Sequence, residues 1–199
     1  MKTFLHVGCG SIVKSQIKGF NNNWKKIRFD IDKNVNPDIV GTLTDMKLVK
    51  TKSVDAIYSS HNIEHIFPHE VPIALKEFYR VLKDDGIVVI TCPDLQSVGE
   101  AIAQDKLFEM LYESPMGPVT AFDILYGHRK TTADGNIFMI HKGGFTYSTL
   151  NSSFFEAGFK ARYGGRFQEK GEYNLFLVAF KQKESEEEIR KIANPFFPS

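Results

Sequence analysis

The chain has 199 residues, 42% of them hydrophobic, with 25 basic side chains against 24 acidic ones. That length suits one domain with a core of its own, and the even charge excludes a surface built mainly around nucleic acid. No window approaches the roughly 20 apolar residues of a membrane-spanning helix, and the run from Met1 to Val7 is too short for a secretory h-region. Cys9 and Cys92 lack CxxC spacing, so neither a zinc site nor a disulfide framework is expected, and a reducing cytoplasm is the expected compartment.

Strand signals come first. Residues 3–7 are β-prone and stop at Gly8-Cys9-Gly10, and a weakly amphipathic stretch then runs to Asn21-Asn22-Asn23. Further apolar runs cover 26–31, 38–40, 54–59 and 87–91, near-continuous as in strands buried on both faces of a parallel sheet. Between the last two, Val71, Ala74, Leu75, Phe78, Val81 and Leu82 recur at spacings of three and four, which predicts a helix closed by Asp84-Asp85-Gly86. A strand–helix–strand order of this length implies a right-handed crossover.

The second half is less regular. The pattern predicts a helix over 96–112, an aperiodic stretch over 113–147 of the kind that carries function, and a short helix over 149–157 capped at Gly158. Two β-prone runs, 159–163 and 174–181, are close enough to pair antiparallel, with Gly164-Gly165 and Gly171 between them. Residues 184–193 form a charged helix candidate before Pro195. The expected division is one domain over 1–183, with 113–147 as an acceptor-site insertion, followed by a charged helical tail over 184–199. Phe196 and Phe197 read as packing residues, or as a docking point for a neighbouring subunit.

The chemistry-bearing positions sit at strand ends. Gly8-x-Gly10 after a strand permits a sharp turn and close backbone approach to a ligand. The third glycine of the dinucleotide fingerprint would fall at Val13, which disfavours a pyrophosphate ligand and a nicotinamide-dependent oxidoreductase. About twenty residues on, Asp30 ends the second run, where a carboxylate can accept from a ribose diol; Asp32 is the alternate.

In order, Leu5 to Ser11, Phe29-Asp30-Ile31-Asp32, Val40 to Met46, Val54 to His65, Leu75 to Gly86 and Ile90 to Asp94 resemble the class I, Rossmann-like S-adenosylmethionine-dependent methyltransferases. The likeness is to the small bacterial type with a Gly-Cys-Gly loop and a Glu-His pair after the fourth strand; His141 to Phe145 and Leu150 to Phe159 resemble the segment before that family's terminal hairpin. The resemblance implies a three-layer α/β fold with a seven-stranded, mostly parallel sheet and one antiparallel strand in a C-terminal hairpin. It implies that Gly8, Cys9 and Gly10 face the methionine portion of S-adenosylmethionine and that Asp30 holds the ribose. Asp45 and Met46 would flank the adenine, although Thr42 stands where many relatives carry an acid. Ser59, Ser60 and His61 would leave the fourth strand beside the sulfonium.

A base is needed only if the acceptor loses a proton; the candidates are His61, Glu64, His65 and His141, with Tyr126 and His128 further off. No Asn-Pro-Pro-Tyr signature of nucleobase methylation is present. The expected function is therefore methylation, O-directed, of a small molecule or glycan precursor by a cytoplasmic monomer or homodimer, without metal, membrane or nucleic acid. A non-catalytic S-adenosylmethionine-binding module is the rival.

Overall fold

The computed structural model describes residues 1–11, 17–114, 116–169 and 171–198, with Glu169 described in its backbone alone. Val13 and most of the amphipathic stretch after Gly10 lie outside the described residues. Strands β1 (Lys2–Val7), β2 (Trp24–Asp30), β3 (Ile39–Val40), β4 (Val54–Ser60) and β5 (Leu82–Pro93) run parallel. The helix α1 (Val71–Val81) links β4 to β5 and ends three residues before the Asp84-Asp85-Gly86 stop that the sequence suggests.

Alternation within each strand feeds two separate cores. Leu5, Val7, Ile57, Val88 and Ile90 face one layer, where Ala74, Leu75 and Phe78 of α1 cover them. Phe4, Ala56, Ile87 and Val89 face the other. Burial on both faces is why these strands read as unbroken apolar runs.

The central half departs from the sequence expectation. The helix predicted over 96–112 is only α2 (Leu95–Ala103), because Asp105 takes a left-handed backbone with φ +60° and turns the chain. Met110–Ser114 then forms β6, which pairs antiparallel with β7 (Gly117–Thr120). Tertiary pairing has overridden the helix propensity of this segment. The aperiodic stretch also holds α3 (Ala121–Tyr126), α4 (Arg129–Ala133) and a 3-10 turn at Ile137–Met139, each too short to show a period.

The terminal elements follow the expected order. Helix α5 (Tyr147–Glu156) leads into a hairpin of β8 (Ala161–Glu169) and β9 (Glu172–Phe180). Gly164 and Gly165 lie inside β8 rather than in the turn; a Cβ at Gly164 would stand 2.0 Å from the Phe176 carbonyl oxygen across the pair. The sheet order is β3-β2-β1-β4-β5-β9-β8, with β9 antiparallel to both neighbours. Helix α6 (Glu186–Ala193) precedes Phe196 and Phe197, which pack into the second core with Phe4 and Phe20 rather than facing outward. Strand order reverses between β1 and β4, so a crevice opens beyond their C-terminal ends, where open α/β sheets bind ligands.

His6, fully buried on β1 beside Tyr58, has no hydrogen-bond partner on either ring nitrogen among the described residues. Burial first, then the charges of Lys26 and Arg28, lower its pKa to about 3. Below the ordinary value near 6.5 the unfolded chain takes up a proton that the folded chain refuses, so stability is lost as pH falls through that value. Between pH 7 and 5 this costs about 2 kcal/mol. Urea midpoints at the two pH values should therefore differ less in His6→Leu than in the parent, and equal pH slopes would refute the assignment.

Candidate active site

The loop after β1 is shaped by two side chains of β2. Gly8 and Gly10 take φ of +61° and +46°, a region that side-chain-bearing residues avoid. The Gly10 N–H donates to Asp30 Oδ2 at 2.9 Å, while the Arg28 guanidinium donates to the Gly10 carbonyl. Arg28 also donates to the Val35 and Asn36 carbonyls, both at 2.7 Å, tying the loop to the turn after β2. A Cβ at Gly8 would meet the Asn62 side chain at 2.4 Å, whereas one at Gly10 would meet nothing within 4 Å. Gly8 is required by packing, and Gly10 borders open space.

That space is a cleft of about 290 Å³. Its floor is Gly8, Gly10 and Asp30, its far side Gly41, Thr42, Leu43 and Thr44, and its near side His61, Asn62 and His65. Asn136, Phe138, Met139 and Lys142 complete the wall, so the later segment reaches the same cleft as the glycine loop. A cavity of about 410 Å³ between α1 and α5 touches the cleft's lining at Ile66. It is larger, but it has neither the glycine loop nor a histidine, so the chemistry belongs to the cleft.

The chain leaves β4 through His61, whose backbone sits in the left-handed region at φ +45°. Such strain in a non-glycine residue costs on the order of 1–3 kcal/mol, and the His61 N–H bond to the Thr91 carbonyl at 2.9 Å helps hold it. The ring is 43% exposed, with Nδ1 3.6 Å from Glu64 Oε1. The protein crowding around it, then His141 and His65, lower its pKa to about 4.

Glu64 is only 1% exposed, and neither carboxyl oxygen has a hydrogen-bond partner among the described residues. Burial pushes its pKa up to about 8, against the pull of the backbone at Glu64 and Asn62. The rings of His65 and His141 meet edge to face at 4.7 Å. His65 Nδ1 lies 3.1 Å from the Ile140 carbonyl oxygen and His141 Nδ1 2.6 Å from that of Ile124. Burial lowers both pKa values, that of His65 to about 4, while the Ile140 and His61 carbonyls pull His65 the other way. The Glu64 carbonyl accepts from Lys142 and Gly143 at 2.8 and 3.1 Å, pinning the two segments together.

Five of the expected positions therefore stand together at the cleft: Gly8, Gly10, Asp30, His61 and His65. The Cys9 side chain is buried in the protein. Met46 is fully buried in the first core and Asp45 points to solvent in an ion pair with Lys47, so the wall at this point is made by Thr42, Leu43 and Thr44 instead. Ser60 pairs with Thr91 in the sheet and does not line the cleft. Asp32 lines the cleft but spends its side chain on the Asn34 N–H. His128 caps α4, accepting from the Thr131 N–H, and Tyr126 faces solvent. Arg28, Asn62, Phe138, Met139 and Lys142 are site residues the sequence does not flag. Only Arg28, a charge interrupting an apolar run, left any trace.

Residues 5–90 match a family model described as a methyltransferase domain. No curated protein matches the sequence. Among solved structures, the chain is similar to an S-adenosylmethionine-dependent methyltransferase of Archaeoglobus fulgidus, at 15% identity and TM-score 0.61 over 90% of this chain and 86% of that one. One from Methanosarcina mazei gives 14%, 0.57, 92% and 93% by the same measures. The Burkholderia thailandensis 1,6-didemethyltoxoflavin-N1-methyltransferase, solved with its acceptor and S-adenosylhomocysteine, gives 12%, 0.56, 91% and 71%. The fold is that of the Rossmann-like methyltransferases, and residues 5–90 carry the methyltransferase-domain match. These matches favour neither an oxidoreductase nor a binding module without activity.

The cleft's own residues fit S-adenosylmethionine: there is open space beside Gly10, and a carboxylate at Asp30 lies within reach of a diol. Asp30→Ala should weaken S-adenosylhomocysteine binding by one to two decades, about 1.5–3 kcal/mol, because it removes a charged acceptor and frees the Gly10 N–H. Asp32→Ala should cost less. Calorimetric titration of both variants checks this, and a greater loss in Asp32→Ala would mean that the ribose sits on the other acid.

Proposed function

We propose that the chain is an S-adenosylmethionine-dependent methyltransferase that carries its methyl group to an oxygen of a small acceptor of the sugar or glycan-precursor kind. The supporting observation is the placement of His61. Its strained backbone sets a partly exposed imidazole on the cleft wall, beside the glycine loop and at the end of β4. A hydroxyl must lose its proton as it is methylated, and a positioned imidazole is suited to take it. An amine in its free-base form needs no such partner at the moment of transfer.

When bound, the cofactor supplies a methyl group on a sulfonium, a leaving group that needs no acid. The chain's contribution is alignment and proton removal. His61 takes the hydroxyl proton and passes it to water at the cleft mouth. Glu70, Asn136 and Lys142 line the rim with acceptors and donors that suit a hydroxyl-rich molecule. No helix among the described residues is long and apolar enough to cross a membrane. Together with two free, buried cysteines, this supports placing the enzyme in the cytoplasm, as a monomer or homodimer.

Transfer of labelled methyl groups to a panel of sugars, sugar phosphates and amines tests the reading, with alkaline-stable ether products expected. His61→Asn keeps a residue that tolerates the left-handed backbone but cannot act as the base. It should lower kcat for the hydroxyl acceptor by roughly 10²-fold or more, with S-adenosylhomocysteine affinity within about tenfold of the parent. Product on nitrogen alone, or an unchanged kcat in His61→Asn, would overturn it.

A further inference from the structure

We infer that Glu64, His65 and His141 form a site for a divalent first-row transition ion on the wall of this cleft. One ligand atom from each residue lies within 4.8 Å of the others, the one such grouping found among the described residues. The sequence does not suggest it, because the third member stands 76 positions from the second and belongs to the aperiodic stretch.

The hydrogen bonding carries the argument. Carbonyl oxygens can only accept, so the bonds to Ile140 and Ile124 place the proton of each ring on Nδ1 and leave the lone pair on Nε2. An imidazole whose Nδ1–H is held by a backbone carbonyl is the arrangement usual for a metal-ligating histidine. Beside these rings lies the Glu64 carboxyl group, 1% exposed, with neither oxygen hydrogen-bonded and with His61 Nδ1 3.6 Å from Oε1. One ring nitrogen from each histidine and a carboxyl oxygen thus lie within reach of a single ion, and an ionised carboxylate buried there without compensation is costly. A cation satisfies all three at once.

Two imidazoles and one carboxylate are the donor set of catalytic zinc and of non-haem iron sites, with positions left for exogenous oxygen ligands. Ligands about 2.1 Å from an ion in tetrahedral array stand about 3.4 Å apart. The side chains must therefore close by up to about 1.4 Å, and both rings are only partly buried. His65 opens onto the cleft and gives the ion its entry. The ion's role in the reaction, polarising an acceptor hydroxyl so that it gives up its proton more readily, rests on the oxygen-directed reading. Its binding does not.

The test uses chelator-stripped protein at pH 7.5, titrated calorimetrically with Zn²⁺ and followed with Co²⁺ by visible absorption. One equivalent should bind, with a dissociation constant on the order of 1 μM or tighter. An asparagine amide can reproduce the Nδ1–H bond but has no Nε2. His65→Asn and His141→Asn should therefore keep the parent's metal-free melting temperature while losing at least about tenfold in affinity. Glu64→Gln should lose as much. Absence of stoichiometric binding, or equal affinity in both asparagine variants of the cluster, would overturn the inference. Zinc binding with methylation confined to nitrogen would sink the oxygen-directed reading and leave the site standing. Oxygen methylation by a protein that binds no zinc would do the reverse.

Discussion

Residue Gly10 is held by both of its backbone groups. Asp30 takes its N–H and Arg28 its carbonyl, and these side chains stand two residues apart on the same face of β2. A flexible three-residue loop is thereby fixed to a rigid strand by charge-assisted bonds, which are stronger than neutral ones. Everything at the cleft is referred to that anchor. The remaining Arg28 donors reach the Val35 and Asn36 carbonyls and so set the position of the chain entering β3. The same carboxylate that shapes the loop also lines the cleft, so a change at Asp30 alters the loop and the cleft together.

Opposite this anchor, the wall is built from two segments far apart in sequence. The Glu64 carbonyl receives the N–H groups of Lys142 and Gly143, and the His65 ring donates to Ile140. These bonds make the later segment part of the cleft's wall. Phe138 and Met139 of the segment expected to select the acceptor face the same space as Asp30. Substitutions on that segment should be read against both ligands.

Much of the first half was legible in the sequence for a physical reason. Strands buried on both faces must be continuously apolar, and Leu5, Ile57 and Ile90 stand in such runs. A glycine loop and an acid that act through position at strand ends stay visible even when each motif alone is weak. The rest was hidden by causes that have names. Met110 to Tyr112 are competent helix formers that pair as a strand because β7 offers a partner. Neighbours in sequence point opposite ways at Asp45 and Met46, one to solvent and one into the core, and no spacing rule predicts which. Phe138 and Lys142 lie on elements too short to have a period, and Arg28 reads as a blemish in a strand until its carbonyl partners are seen.

The aromatic pair near the C-terminal end has a consequence for the order of events in folding. Phe196 packs tilted against Phe20 at 4.9 Å and Phe197 stacks on Phe167 at 5.4 Å, completing a core begun by Phe4. Joining these groups closes a loop of almost the whole described chain, whereas α1 packs on strands directly beside it in sequence. Loop closure of that length carries an entropy cost that local pairing avoids. The two faces of one sheet should thus mature at different times: the α1 face with the folding nucleus, the Phe196 face after the barrier. Truncation of Phe78 should slow folding, and truncation of Phe196 should instead speed unfolding.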